Sequence, residues 1–158
     1  MKKIILYLSV ITASGLLMVT VYNSMIDARV WSADIPRSVE AARIYYSHID
    51  PRTFFQFIAP LNQLLVLLLI ILFWKDQRLR LYFSLSFFLY ALIFLLTLYY
   101  FVPRDVLIFS LTSKATAAEM KEALMQWQVV NPVRSLLGLA GIFFTCRGIH
   151  HYYVHKRA

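Results

Sequence analysis

Hydrophobic positions along this chain neither alternate nor mark out a single helical stripe; they run on almost without interruption. Ile4–Ile26, Thr53–Trp74, Leu81–Val102 and Pro132–Ile149 are each apolar nearly throughout, and about 20 such residues in a helix cross roughly 30 Å of hydrocarbon. No acidic residue falls in any of the four runs, and their basic residues stand at the ends. Backbone polar groups in lipid must be satisfied within the segment, so runs of this length become helices. The pattern predicts an all-α integral membrane four-helix bundle formed by one domain over residues 1–158.

The connections between the runs carry their own signals. In the first, Asp34-Ile35-Pro36 precedes RSVEAARIYYSHI, which predicts a short helix with Val39, Ala42 and Tyr46 on one face. Asp50 would cap the second span and Pro51 begin it. In the last connection, Thr116-Ala117-Ala118-Glu119 matches a capping box, and the helix it opens puts Met120, Leu124 and Trp127 together. Asn131-Pro132 then reads as a fresh cap and helix start. Both short helices are expected at the extracytoplasmic interface.

Polar residues within the runs are few and ordered. Ser9, Thr12, Thr20, Asn23 and Asp27 follow one stripe of the first span, Gln56, Pro60 and Gln63 share a face of the second with Asn62 beside them, and Asn131, Arg134, Ser135, Gly138, Gly141 and Thr145 line a narrow arc of the last. Polar groups facing lipid are costly, so these are expected to point inward. Asn23, Asp27, Gln56 and Arg134 all belong to the outer halves of their helices, which predicts a polar cavity opening outward. The same residues equally suit interhelical hydrogen bonds that close the bundle, and Asn131 and Arg134 equally suit a cap and a snorkelling cation.

Composition reinforces this picture. The chain is 60% hydrophobic with a mean hydropathy of +0.64, too apolar for a soluble domain of this size. Lys2, Lys3, Lys75, Arg78, Arg80, Arg147, Lys156 and Arg157 fall on one side of a four-span arrangement, which predicts a bacterial inner (cytoplasmic) membrane protein with both termini cytoplasmic. The first run reads as an uncleaved anchor, because it continues past the small residues Ala13-Ser14-Gly15. The net charge of +8 points to anionic membrane lipids as partners, and no nucleic acid is expected.

Chemistry is narrowed mainly by exclusion. Cys146 is the single cysteine, which removes the disulfide-exchanging membrane enzymes. No Asp, Glu, His or Lys lies near mid-bilayer, which argues against a proton- or ion-coupled transporter. His150, His151 and His155 lack accompanying carboxylates, so no metal site and no cofactor are expected. On the outer side His48 is the sole histidine and a candidate base, with Arg43 or Arg134 to hold an oxyanion. Asn23, Trp31, Tyr45, Tyr46, Gln56, Asn62, Trp127 and Asn131 are the candidate ligand-binding residues. Each has a plainer reading: His48 as a solvated loop residue, Arg43 paired with Glu40 or Asp50, the tyrosines as interfacial anchors.

The succession WSADIPRSVEAARIYYSHIDPRTFF, APLNQ, YYFVPRD and WQVVNPVRS resembles the anthrone-oxygenase-like family of small four-span membrane proteins. That family's W-x-x-x-N-x-x-R signature reads here as Trp127, Asn131 and Arg134, with Pro132 a departure directly after the asparagine. The resemblance implies oxygenation of an anthrone-like aromatic without a tightly bound cofactor. Two functions therefore stand: an enzyme with an outward-facing pocket for a lipophilic aromatic, or a non-catalytic module that binds a lipid or quinone-like molecule. The second would form a homo-oligomer or join a membrane partner through the Gly138, Ala140 and Gly141 face.

Overall fold

A computed structural model describes residues 2–48 and 52–155. The expected Asp50–Pro51 helix start, and the basic residues Lys156 and Arg157, lie outside the described residues. Among those described there is no strand. Four helical rods, Lys2–Ser32, Arg52–Leu72, Gln77–Phe109 and Ala117–His155, are long and apolar enough to cross a membrane.

The first rod consists of α1 (Lys2–Tyr22), a π-helical stretch (Asn23–Asp27) and α2 (Ala28–Ser32). A short helix, α3 (Arg37–Tyr46), comes next. It starts where expected because Asp34 O accepts from Ser38 N (2.8 Å) while Ser38 Oγ donates back to Trp31 O (2.6 Å). The second rod is α4 (Arg52–Leu72). The third joins α5 (Gln77–Leu96) through another π-helical stretch (Thr97–Phe101) to α6 (Val102–Phe109). Asp76 caps α5, its Oδ1 accepting from the backbone of Arg78 and Leu79, each at 3.0 Å, so the turn from α4 needs only a few residues.

The last rod is α7 (Ala117–His155), one helix of 39 residues. Its start is the expected capping box: Thr116 Oγ1 accepts from Glu119 N at 3.3 Å, and Glu119 Oε2 accepts from Thr116 N at 2.7 Å. A separate second interfacial helix is not formed, because the chain does not break at Asn131-Pro132. Asn131 is no cap: its Nδ2 donates across to Thr20 O (3.2 Å) and to Ser24 Oγ. That bond between rods outweighs a local one. Proline costs the helix one backbone donor, which an intramembrane helix tolerates when neighbours hold it in place.

The rods run antiparallel. Tyr7 and Tyr153 share a hydrogen bond (3.1 Å) at the end that holds the described termini, and Trp31, Phe109 and Trp127 meet at the far end. Buried apolar side chains form two separate clusters. Leu6, Val66, Leu69, Phe73, Leu79, Phe83 and Tyr90 fill the terminal half, whereas Ala28, Trp31, Val39, Phe101, Ile108, Leu124 and Trp127 fill the far half. In the terminal half, glycine permits close approach: a Cβ at Gly141 would lie 2.5 Å from Tyr90 Cε1, and one at Gly148 2.6 Å from Phe83 Cε1. These glycines, with the buried Gly138, are used inside the bundle, so the expected partner-binding face through Gly138 and Gly141 is turned inward.

Candidate functional site

Between the two apolar clusters the rods separate around a cavity of about 630 Å³. It extends from Ala13, Asn62 and Tyr90 to Trp31, Arg43 and Phe109 at the far end. Both π-helical stretches begin on its wall, at Asn23 and Thr97. A π turn inserts an extra residue into the helix and re-aims the residues beyond it. Beyond these turns α2 and α6 both pack on α7, whereas α4 packs on α1 and α5 alone.

Arg134 is the central group. Its side chain is 8% exposed and lines the cavity, yet among the described residues it makes no hydrogen bond or ion pair, and its Nε is buried without a partner. Rings surround it instead: its guanidinium carbon lies 4.3 Å from the Phe101 centroid, 5.7 Å from Phe55 and 5.9 Å from Trp127. Stacking on rings satisfies the flat faces of a guanidinium but leaves its in-plane N–H donors unused. A buried cation in this condition is costly to fold and is poised for an anion.

Asp105 brings a carboxylate to the same cavity. Trp127 Nε1 donates to its Oδ1 at 3.1 Å, and Trp127 is itself fixed by edge contacts to Trp31 (5.6 Å) and Phe101 (5.6 Å). The rod carrying Asp105 is clasped to α7 by Arg104, whose Nε and Nη2 donate to Gln126 Oε1 at 2.9 and 2.7 Å. Sequence reasoning passed over Asp105, placing it among the charges of a connection. The YYFVPRD stretch held the clue, since helical phase aligns Phe101 with Asp105 one turn later.

The candidate residues divide into those on the cavity wall and those turned away from it. Arg134, Arg43, Asn23, Trp31, Tyr46, Gln56, Asn62 and Trp127 all line the cavity. Arg43, however, is occupied: its Nε donates to Ile108 O (2.7 Å) and its Nη2 to Leu107 O (3.4 Å). These bonds tie Arg43 to the C-terminal turn of α6, which makes it an anchor of the wall first and leaves Arg134 as the cation without a hydrogen bond. His48 and Tyr45 are exposed and off the cavity wall: α3 turns its Val39 side to the bundle and Tyr45 outward, and His48 lies in the bend that follows the helix. Asn131 is also off the wall, committed to Thr20 and Ser24. Asn23 is turned along its own helix; with its amide oriented to suit its neighbours, Nδ2 donates to Asp27 Oδ2 (3.0 Å) and Val19 O (3.1 Å). No group of three or more His, Cys, Asp or Glu side chains gathers to hold a metal among the described residues.

The sequence model of the anthrone oxygenase family matches residues 48–144. The chain belongs to the anthrone oxygenase family. The match takes in α4, α5, α6 and most of α7, and with them Phe55, Tyr90, Asp105, Trp127 and Arg134. The anthrone oxygenase match thus covers the cation, the carboxylate and the indole between them, whereas Asn23, Trp31 and Arg43 precede it. Comparison with curated proteins and with solved structures gives no match.

Proposed function

We propose that this membrane protein takes a lipophilic aromatic into the far half of its bundle and oxygenates it as an anthrone-oxygenase-like enzyme. The observation that carries the reading is Arg134, a buried guanidinium with unused donors beside an aromatic wall. An anthrone gives up a methylene proton to leave an oxyanion conjugated with the ring. Arg134 would hold that oxyanion, and stabilising developing charge in a dry site is the largest lever such a pocket has. Asp105 would take the proton. Trp127 fixes the orientation of that carboxylate. The carbanion then adds molecular oxygen, and the hydroperoxide loses water. In sum, a methylene and one O2 become a carbonyl and one H2O.

The test is conversion of anthrone to anthraquinone by the purified protein in lipid nanodiscs under air, monitored by absorbance and oxygen uptake. Conversion above that of empty nanodiscs is expected, with Asp105→Asn lowering kcat about a hundredfold and Arg134→Gln lowering kcat/KM at least as much. His48→Ala should be without effect, since His48 is off the cavity wall. Rates no greater than those of empty nanodiscs would overturn catalysis, and bound but unchanged anthrone would leave a binding module.

A further inference from the structure

The wall of the cavity is closed on one side and broken on another. On the first rod its lining residues Ala13, Leu16, Leu17, Thr20 and Asn23 are all buried or half-buried. On the third rod Phe94, Leu98 and Val106 line the same cavity, yet they are 39%, 44% and 46% exposed. Surface inside the cavity does not account for this, because Trp31, Trp127 and Arg134 also line it and stay below a tenth exposed. Phe94, Leu98 and Val106 therefore stand at an edge, with one side in the cavity and the other outside the protein.

The facing edge is the first half of α4, where Gln56 is exposed and Phe55 and Ala59 are half-buried on the cavity wall. Because α4 packs on α1 and α5 alone, no helix packing joins this half to α6. Pro60 takes one backbone bond out of α4 at the same level, and a helix bends most readily at such a point. Outside the gap, Phe57, Leu61 and Leu64 on α4 and Leu95 on α5 are exposed, and in a bilayer they meet acyl chains. The far end is covered instead by rings, with Trp31 edge-on to Tyr46 (6.4 Å) and Phe109 (4.7 Å). We infer that the cavity opens sideways, through a slot between α4 and the third rod, and that its ligand enters there from the hydrocarbon of the bilayer rather than from water. This rests on the reading of the cavity as a ligand pocket and goes beyond it by naming the phase that supplies the ligand and the residues that admit it. A lipophile crosses an apolar rim without leaving apolar surroundings, whereas a route through water would expose its whole apolar surface.

Fluorescence of the cavity indoles tests the slot. Trp74→Phe removes the exposed tryptophan at the terminal end of the bundle and leaves Trp31 and Trp127 on the cavity wall. The full chain with this change is placed in vesicles of phosphatidylcholine brominated on its acyl chains, in unbrominated vesicles, and in unbrominated vesicles with iodide in the water. An acyl chain that enters the slot carries bromine to the indoles, so most of their emission should be lost to bromolipid and little to iodide. Ala59→Phe enlarges the smallest side chain on the α4 rim and should restore most of that emission. Val106→Phe on the facing rim should do the same, and it serves if Ala59→Phe does not fold. Leu64→Phe, which lies off the cavity wall, should change nothing. If iodide quenches more than bromolipid, the ligand enters from water, so the slot is wrong and the pocket stands. Bromolipid quenching that neither rim variant reduces overturns the slot in the same way. If neither quencher reaches the indoles, the cavity is not open at all, and the pocket reading falls together with this inference.

Discussion

At Gly148 the backbone of α7 meets the ring of Phe83 with no room for a methyl group; earlier on the same helix, Arg134 stands beside a cavity with no hydrogen-bond partner. The terminal half of the bundle is close-packed, built from Leu, Phe and glycine, and Ser86 pairs there with Thr145. The far half is lined by rings, carries both π turns, and leaves the Arg134 guanidinium without a hydrogen bond. Proteins accept local costs of this kind where a ligand will repay them. On the proposed reading, one half supplies stability and the other gives some of it up for recognition.

The sharpest way to break this contrast is a series of methyl insertions along α7, with Gly15 on α1 as the open control. Gly148→Ala and Gly141→Ala push a Cβ to 2.6 Å from Phe83 and 2.5 Å from Tyr90, and overpacking on this scale costs about 1–3 kcal/mol. At Gly138 the nearest atoms would be Leu17 Cδ1 at 3.7 Å and Ile93 Cδ1 at 3.8 Å, and at Gly15 nothing lies within 4 Å. Alanine there should be neutral or slightly stabilising, by up to about 1 kcal/mol from helix propensity. Thermal unfolding in detergent reads the difference. A uniform response along the helix would mean that the halves are packed alike.

The next effect has the opposite sign. Arg134→Met removes a desolvated cation and keeps most of the side-chain volume against Phe101 and Phe55. The fold should gain about 1–2 kcal/mol, the cost of leaving such a group unpaired, while anthrone binding in nanodiscs weakens. Stability gained together with binding lost is the signature of a functional group. Stability lost would assign Arg134 a structural partner and remove the contrast between the halves.

Much of the terminal half was legible in the chain, because membrane spanning depends on length and apolarity, and both are written in consecutive residues. Arg134 was also legible as an inward cation, since it shares a stripe with Gly138, Gly141 and Thr145. The continuity of α7 was not. Asn131-Pro132 carries a strong local start signal, and only the Thr20 backbone and Ser24 hydroxyl of another rod, arriving from a distant part of the sequence, divert the asparagine from capping. The π turns left no mark either, for Asn23–Asp27 and Thr97–Phe101 hold no residue type that demands an extra residue per turn. His48 was attractive because histidine titrates near neutrality, but it follows the end of α3, and where that end lies depends on the contacts of α3 with α2 and α6. Asp105 escaped notice for the converse reason: without the long α6 extension it reads as a solvated loop charge.

The smallest effect tests how closed the far end is. Tyr46 packs edge-on to Trp31 (6.4 Å) and Phe109 (6.0 Å), and its phenol titrates above the ordinary 10.0, first because burial disfavours the phenolate and then because the Asp27 carboxylate repels it. With the folded-state value above the unfolded one, the contribution of neutral Tyr46 is fully present below the unfolded value and is lost as pH rises through the folded one. The difference in tyrosinate absorbance between wild type and Tyr46→Phe should therefore show one phenol with a midpoint above 10.0. The stability difference between the two proteins should hold steady up to the ordinary value and shrink between there and the raised midpoint. A midpoint at the ordinary value would mean that water reaches the ring freely, so that the aromatic lid formed by Trp31, Tyr46 and Phe109 does not close the cavity. Arg134 would then be hydrated, and the charge stabilisation it could give an oxyanion would shrink with it.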